Sequence, residues 1–329
     1  MTHARPPSPQ AGTVSVILPV LNEERHLRDA VAMVLAQDWP RPIEVVLALG
    51  PSTDRTDEIA ADLAREDDRI VVVDNPTGRT PDALNAAIGA ARGEVIVRVD
   101  GHAEIPTDYI SRAVAVLERT GADNVGGIMD AQGITAFQRA VALAMRSPIG
   151  VGNSRFHVGG QEGPADTVYL GVFRRAALDR VGGYDPRFAR AQDWEMNHRI
   201  RQSGGLVYFT PDLRVTYRPR ASVKALAEQY FLYGRWRRVV ARSHEDTITG
   251  RYLAAPAMVL GVFAGTVAAL FWTPALAVPA AYLVGTAGAG LAISRGEPWS
   301  VRLRTPGVLA TMHWSWGLGF LLSPRDLPR

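Results

Sequence analysis

A carboxylate and an imidazole follow a short apolar segment near residue 100. Residues 95–99 are mostly β-branched, as in a buried strand of a parallel sheet, and Asp100 and His102 come next. Ligands of open α/β sheets bind beyond the carboxyl ends of the strands. Because carboxylate and imidazole groups both bind divalent metal ions, the segment predicts a metal-assisted phosphate site at the sheet rim. In the alternative interpretation, Asp100 caps a helix and His102 lies in a surface loop.

Three similar segments precede this strand and alternate with helical patterns. Residues 14–20, 43–49 and 70–73 are apolar, and each is followed by polar residues and then by apolar residues at helical spacing. The alternation predicts an α/β fold with a Rossmann-like, mostly parallel sheet and flanking helices. Such a sheet would bring the polar residues that follow three strands to one rim: Asn22 and Glu23, Asp54, and Asp100 with His102.

The turn after the first strand lacks the glycines with which dinucleotide-binding and P-loop proteins cradle a diphosphate. Pro19, Asn22 and Glu23 occupy it, and Asn22 is placed to cap a helix that begins at Glu23. A metal ion held by Asp100 and His102 is the more economical way to neutralise a diphosphate. A nucleotidyltransferase also uses metal-bound carboxylates, but it would carry a Gly-rich loop with Lys or Arg at this turn, and this chain does not.

Composition narrows the class of protein further. The 329 residues allow more than one domain, and the absence of cysteine excludes disulfides, thiolate metal sites and a cysteine nucleophile. A net charge of +3 is too small to indicate a nucleic-acid partner. The charge is uneven, however, because residues 218–242 contain seven basic residues against one acid, and residues 252–294 contain no charge at all.

The uncharged segment predicts membrane helices. Its 43 residues fit two spans, at about 252–272 and 275–294, and a third hydrophobic segment at 306–323 is short for a span. A buried helical hairpin in a soluble protein is the alternative. The predicted organisation is a disordered tail (1–13), a catalytic domain (14–217), a basic amphipathic interfacial helix or linker (218–250) and a membrane domain (251–329). The basic flanks predict a multi-pass inner (plasma) membrane protein whose catalytic domain is cytoplasmic.

Five signatures, in order, resemble those of the family 2 inverting glycosyltransferases, which have the GT-A fold. They are residues 15–23, 50–56, 75–79 with 83–85, 98–102 at the D-x-D position, and 182–185 followed by 192–195. Together they cover roughly residues 14–215. Within the family the chain is most similar to the membrane-anchored succinoglycan-biosynthesis type, which has a basic linker and carboxyl-terminal membrane helices.

The resemblance implies a role for each matching residue. The implied nucleotide-sugar contacts would be Pro19, Asn22, Glu23, Asp54, Arg79 and Asp100, with Asp54 at a uracil-type base. Asp100 and His102 would hold Mn²⁺ or Mg²⁺, and Asp193 would be the general base.

Two positions depart from the family pattern. His102 replaces the second acid of D-x-D, which favours Mn²⁺ relative to Mg²⁺. Gln192 replaces the first acid of the pair that includes Asp193, so Asp193 is the only carboxylate there. Glu195 is a second candidate for the base, and a helix N-cap is the alternative role for Asp193.

The function that the resemblance implies is an inverting hexosyltransferase. It would move a sugar from a nucleotide-sugar, with a UDP-sugar favoured, to a membrane- or lipid-linked saccharide acceptor in exopolysaccharide or cell-envelope glycan synthesis. Other glycan-synthesis membrane proteins are possible partners. The alternative is a catalytically impaired, membrane-tethered nucleotide-sugar-binding or scaffold protein, which the changes at His102 and Gln192 would favour.

Overall fold

The computed structural model describes residues 10–101, 103–245 and 247–325, which form two compact units. The first comprises residues 10–129 and 159–216, and the second comprises residues 130–158 and 217–325. The predicted 14–217 domain counts residues 130–158 with the sheet, whereas the structure groups them with the carboxyl-terminal helices. Residues 1–9 of the predicted tail lie outside the described residues. The first strand begins at Gln10, within the segment that was predicted to be disordered.

The first unit is built on an eight-stranded sheet. The strands are β1 (Gln10–Val20), β2 (Ile43–Leu49), β3 (Ile70–Asp74), β4 (Gly93–Arg98), β5 (Asn124–Ala131), β6 (Gly163–Pro164), β7 (Tyr169–Arg174) and β8 (Val207–Tyr217). The helices of this unit are α1 (Leu27–Leu35), α2 (Thr56–Glu66), α3 (Thr80–Ala90), α4 (Tyr109–Thr120), α8 (Arg175–Val181) and α9 (Gln192–Gln202). The strand order is β3-β2-β1-β4-β7-β5-β8-β6.

Strands β1 to β4, three of which carry the predicted rim residues, are parallel to one another. In β1, Ile17 pairs with Val46 of β2 on one side and with Arg98 of β4 on the other. The α/β sheet with flanking helices is therefore as predicted, whereas β7 joins β4 in the antiparallel direction and makes the sheet mixed. The strand order reverses between β1 and β4, which is where doubly wound sheets open a crevice at their carboxyl ends.

A buried carboxylate fixes the other ends of these strands. Glu44 at the start of β2 is 5% exposed, and it accepts hydrogen bonds from the Ser15 hydroxyl (2.5 Å), the Arg92 backbone N–H (2.7 Å) and Arg92 Nε (2.6 Å). The backbone N–H of Gly93 donates to Ser15 Oγ at 2.8 Å. These contacts join β1, β2 and the start of β4, so they set the register in which the strands reach the rim.

The second unit is helical. Its helices are α5 (Ala136–Met145), α6 (Pro148–Val151), α7 (Arg155–Val158), α10 (Val223–Ser243), α11 (Gly250–Ala268), α12 (Ala277–Ile293), α13 (Trp299–Arg302) and α14 (Thr305–Leu321), with a 3₁₀ turn at Thr273–Leu276 before α12. Among the described residues, two helical segments are long and apolar enough to cross a membrane, Gly250–Ala268 and Thr273–Ile293. They overlap the two predicted spans, whose crossing of a membrane stays a prediction.

Replacing the buried carboxylate tests its role in the register. Glu44→Gln should lower the free energy of unfolding by about 1–3 kcal/mol, because three charge-assisted hydrogen bonds are weakened in a buried site. The measurement is denaturant unfolding of the purified protein. The matched control is Glu58→Gln, whose ion pair with Arg55 is exposed to solvent and should contribute far less to the free energy of unfolding. Equal effects of the two changes would contradict a structural role for Glu44.

Candidate active site

Asn22 joins two loops and does not cap a helix. Its backbone lies in the left-handed region with φ of 56°, and α1 begins only at Leu27. The Asn22 Oδ1 accepts hydrogen bonds from the backbone N–H of Thr53 (2.8 Å) and from its hydroxyl (3.2 Å), while the Asn22 N–H donates to Ser52 Oγ (3.1 Å). Asparagine tolerates this conformation better than most residues. The predicted helix cap was wrong because the partner of Asn22 lies in the β2–α2 loop.

Asp54 holds the same two loops from the other side. Its carboxylate accepts hydrogen bonds from the Thr56 hydroxyl (2.5 Å), the Thr56 N–H (3.0 Å) and the Glu24 N–H (3.3 Å). The Glu23 N–H donates in turn to Thr56 Oγ1 at 2.8 Å. The hydrogen bond from the Thr56 hydroxyl, helped by the backbone donors, lowers the pKa of Asp54 despite partial burial. Asp54 is therefore held as an anion at the rim.

The loop after β3 reaches the same place through two glycines. A Cβ added to Gly50 would lie 3.3 Å from Gly78 Cα and 3.0 Å from Leu21 Cδ1, so a side chain at position 50 would crowd both neighbours. Leu21 is 42% exposed on top of this contact. The result is a small apolar floor between the loops that follow β1, β2 and β3.

Two further predicted contact residues lie at this edge of the sheet. Pro19 is half-buried in β1, one residue before the strand ends at Val20, and pairs with Ala48 of β2. Arg79 precedes α3, and its Nε donates to Asp82 Oδ2 at 2.8 Å. Asp82 also accepts from the Thr77 hydroxyl at 2.6 Å. The guanidinium of Arg79 is thus positioned by its own helix.

The last residue of β4, Arg98, joins two of the predicted site residues. Its side chain is 5% exposed. Arg98 Nε donates to Asp100 Oδ1 at 3.0 Å, and Nη1 donates to Asp193 Oδ1 at the start of α9. Burial alone would lower the pKa of Arg98, but the two carboxylates raise it well above its ordinary value. One buried cation therefore links the end of β4 to α9.

Asp193, the predicted general base, is partly exposed. Its side chain is 32% exposed. Burial raises the pKa of Asp193, and the negative charge of Asp100 adds to this, so the opposing effect of Arg98 is only partial. A carboxylate of raised pKa is a stronger proton acceptor when ionised.

Glu195, the second candidate for the base, forms a buried ion pair. It is 1% exposed and forms a two-contact ion pair with Arg199, with Oε1 to Nε and Oε2 to Nη2 both at 2.7 Å. Arg199 also donates to the backbone carbonyls of Val181 (2.6 Å) and Gly183 (2.8 Å). This arrangement fixes α9 to the turn after α8 and engages both carboxylate oxygens of Glu195.

The glycine turn before α9 is held by α3. Asn85 Nδ2 donates to the carbonyl of Tyr184 at 2.7 Å, and Asn85 Oδ1 accepts from the Tyr184 N–H at 2.8 Å. Gly183 has φ of 74°, and a Cβ there would lie 2.6 Å from Asn85 Oδ1. Burial raises the pKa of the Tyr184 hydroxyl, and the charge of Asp193 adds to this. The signature at residues 83–85 thus contacts the signature at residues 182–185 directly.

Asp100, one of the two predicted metal ligands, lies at the turn after β4. A Cβ added to Gly101 would lie 3.1 Å from Glu23 Cγ, so the Glu23 side chain packs on the turn that carries Asp100. His102 lies outside the described residues. Among the described residues no group of three or more His, Cys, Asp or Glu side chains could hold a metal ion. The oxygen of Asp100 and an imidazole at position 102 are a donor pair that suits Mn²⁺.

The structure thus brings Asn22, Glu23, Asp54, Asp100 and Asp193 to the carboxyl edge of the sheet. Sequence reasoning missed Arg98, whose signal was an arginine at the end of an otherwise apolar strand. It also missed Tyr184 and Arg199. A cavity of about 440 Å³ lies at the opposite end of β1 and β4, beside Thr13, Glu94 and Arg174, and contains none of the predicted site residues.

Comparisons with known proteins agree on one family. The family model described as glycosyl transferase family 2 matches residues 15–182. A curated relative, the succinoglycan biosynthesis protein ExoA of Rhizobium meliloti (strain 1021), is 32% identical over 318 residues, which are 95% of this chain and 96% of that protein.

Solved structures share the fold at lower identity. The mannosyltransferase PcManGT from Pyrobaculum calidifontis, in complex with GDP-Man and Mn²⁺, matches with a TM-score of 0.60 at 22% identity over 91% of this chain and 85% of that chain. S. aureus TarS 1-349 in complex with UDP-GlcNAc matches with a TM-score of 0.52 at 16% identity over 94% and 90%. These matches confirm the predicted fold class.

The loss of stability at low pH tests whether Asp54 holds the two loops together. Because its pKa is lower in the folded than in the unfolded chain, Asp54 stabilises the fold above the unfolded pKa of about 4, and this stabilisation is lost as pH falls through the folded pKa. The thermal-unfolding midpoint of Asp54→Asn should lie below that of the wild type near neutral pH and approach it below about pH 4.

The control for this experiment is Asp68→Asn, an exposed carboxylate between α2 and β3. It should show little difference from the wild type at either pH. The unfolding midpoints of Asp54→Asn and the wild type should not differ by a constant amount from neutral pH to pH values below about 3. Such a constant difference would contradict the proposed role of Asp54 in joining the loops.

Proposed function

Because this chain belongs to glycosyl transferase family 2 and is a glycosyltransferase, we propose that it moves a hexose from a nucleotide-sugar to a hydroxyl of a membrane- or lipid-linked saccharide, with inversion. The observation that carries the proposal is the pairing of Arg98 with both Asp100 and Asp193. Through this pairing, Asp100, a predicted contact of the nucleotide-sugar, and Asp193, whose pKa is raised, lie beside the same buried guanidinium.

The nucleoside of the donor would lie on the apolar floor made by Leu21, Gly50 and Gly78. The loops around this floor are joined by Asn22 and Asp54, which accept hydrogen bonds from neighbouring loop residues. We therefore assign Asn22 and Asp54 the role of shaping the pocket, and Glu23, with its side chain over Gly101, the role of reaching the ribose. A uridine nucleotide is favoured by the resemblance of the 50–56 turn.

The diphosphate would lie near the turn after β4. Asp100 and His102 would hold Mn²⁺ or Mg²⁺, which would offset the charge that develops on the leaving diphosphate. The mannosyltransferase PcManGT was solved with both GDP-Man and Mn²⁺, which supports a divalent metal here. Arg79 at the start of α3 supplies a further positive charge at this edge.

Asp193 would act as the general base. It removes the proton of the acceptor hydroxyl, whose oxygen forms a bond to the anomeric carbon as the bond from that carbon to the diphosphate oxygen breaks. Attack from the face opposite the leaving group inverts the anomeric configuration. Arg98 keeps Asp193 ionised and oriented before the reaction, because its positive guanidinium donates a hydrogen bond to Oδ1 of the carboxylate.

The acceptor is proposed to be lipid-linked because α11 and α12 are candidate membrane spans and the relative ExoA acts in succinoglycan biosynthesis. The product would then enter an exopolysaccharide or another cell-envelope glycan. A tethered, inactive donor-binding protein is the alternative, and the next experiment separates the two.

Release of nucleoside diphosphate tests the proposed activity. Membranes that contain the protein should release it from one sugar donor in a panel, and a chelator should abolish release until Mn²⁺ is restored. His102→Ala should lower the affinity for Mn²⁺ measured by titration. Donor binding without turnover in the presence of cell-derived lipid acceptor would instead support the inactive protein.

The choice of base is tested by two neighbouring carboxylates. Asp193→Asn should lower kcat by about 10²- to 10⁴-fold with donor binding retained, because it removes the proton acceptor. Glu195→Gln should instead lower the free energy of unfolding by roughly 3 kcal/mol, because it leaves Arg199 with a weakened buried partner. Wild-type turnover in Asp193→Asn would contradict the assignment.

The positioning role of Arg98 is tested by Arg98→Lys. Lysine offers a point charge and not a planar fork, so it cannot hold Asp100 and Asp193 together. Donor KM should rise and kcat should fall, each by roughly tenfold or more. The matched control is Arg175→Lys, a buried arginine that donates to the carbonyls of Gly93 and Ala91 at the other end of β4. Measured below both unfolding midpoints, the control should keep both constants; equal losses in the two variants would reduce Arg98 to a stability role.

A further inference from the structure

We infer that α14 does not cross the membrane but lies against the base of the α11–α12 hairpin, on the same side as α10, so that the chain crosses the bilayer twice. The inference rests on the proposed membrane association. The base of the hairpin is defined here as residues 250–259 and 284–293, and its tip as residues 269–276.

The hairpin has one charged end and one apolar end. Gly265 of α11 packs against Val278 and Pro279, which closes the two helices on each other. Arg251 and Arg295 flank the base, whereas Phe271 at the tip is 89% exposed. Charged residues at one end and aromatic residues at the other are typical of helices that enter a bilayer.

Two contacts far apart along α14 both lie at the base of the hairpin. A Cβ added to Gly290 would lie 2.6 Å from Pro306 N, and one added to Gly317 would lie 2.8 Å from the Ala255 carbonyl. Gly290 is three residues from the end of α12 and Ala255 is five residues from the start of α11. At a rise of about 1.5 Å per residue, both contacts fall within roughly 8 Å of the charged end.

A spanning helix would not make both contacts. The 11 residues from Pro306 to Gly317 advance α14 by about 16 Å, which would carry a helix aligned with α12 more than halfway to the tip. Instead Gly317 lies beside Ala255 and Val259 of α11. Helix α14 therefore crosses the hairpin obliquely and remains in its base half.

The carboxyl end of α14 is held by the basic helix α10. Arg238 donates to the carbonyls of Phe320 (3.0 Å) and Leu321 (3.2 Å), and Arg242 donates to that of Ser323 (3.3 Å). The Arg237 guanidinium lies 3.8 Å from the centre of the Tyr252 ring at the start of α11. Guanidinium groups are costly within hydrocarbon, so this end of α14 lies at the level of headgroups or water.

The amino end of α14 lies at a similar surface. Trp299 and Leu303, one helical turn apart, are 63% and 69% exposed, and the Arg302 guanidinium lies 4.2 Å from the centre of the Trp299 ring. Exposed aromatic and aliphatic side chains beside arginines are typical of the membrane interface. Lipid headgroups would therefore contact residues 295–304, and both ends of α14 lie on one side of the bilayer.

The absence of cysteine permits a direct test in the full chain. Single cysteines are placed at three exposed positions: Ala221→Cys before α10, Thr273→Cys at the tip and Arg325→Cys after α14. Each variant is labelled with a membrane-impermeant maleimide in intact spheroplasts and in inside-out vesicles, and the cysteine-free wild type is the blank.

The inference expects Ala221→Cys and Arg325→Cys to react from one side and Thr273→Cys from the other. Reaction of Arg325→Cys from the side of Thr273→Cys would show that α14 crosses and would overturn the inference. Reaction of all three from one side would overturn the double crossing. Recovery of the protein in the soluble fraction would overturn the membrane association itself, and none of these results depends on whether the enzyme turns over a donor.

Discussion

One buried cation, the guanidinium of Arg98, is the contact on which the site depends. It stands at the end of β4, where the strand order of the sheet reverses, and it pairs with Asp100 on the same chain segment and with Asp193 on α9. A buried arginine needs compensating charge, and here two carboxylates supply it from elements that are far apart in sequence. The pairing of Arg98 with Asp193 therefore helps to fix the position of α9 relative to the rim, together with apolar packing.

The other polar contacts of the sheet serve this arrangement. Glu44 sets the register of β1, β2 and β4 at the amino edge, and the mutual hydrogen bonds of Asn22, Thr53, Asp54 and Thr56 join the loops at the carboxyl edge. The pair of Glu195 with Arg199 fixes α9 to the turn after α8. Asp193 is thus left at the end of a helix whose position is already determined.

Much of this could be predicted from the sequence, because it depends on local patterns. The period of apolar residues predicts the parallel strands, and the polar residues after β1, β2 and β4 do converge on one edge. The family and the enzyme class were also predicted correctly from five signatures. Non-local pairing could not be predicted: Asn22 has its partner in another loop, β7 joins β4 in the antiparallel direction, and Arg98 acquires a role only when α9 arrives beside it. The roles of Asp193 and His102 remain predictions.

The most direct test of this account is a double-mutant cycle on the two carboxylates that share Arg98. Asp100→Asn, Asp193→Asn and the double variant are compared with the wild type by thermal unfolding of the purified protein. If one guanidinium serves both, each single variant leaves it a charged partner and the double variant leaves none. The double variant should then be less stable than the sum of the single changes predicts by about 1–3 kcal/mol. Additivity to within roughly 0.5 kcal/mol would contradict the shared pairing and with it the central place of Arg98.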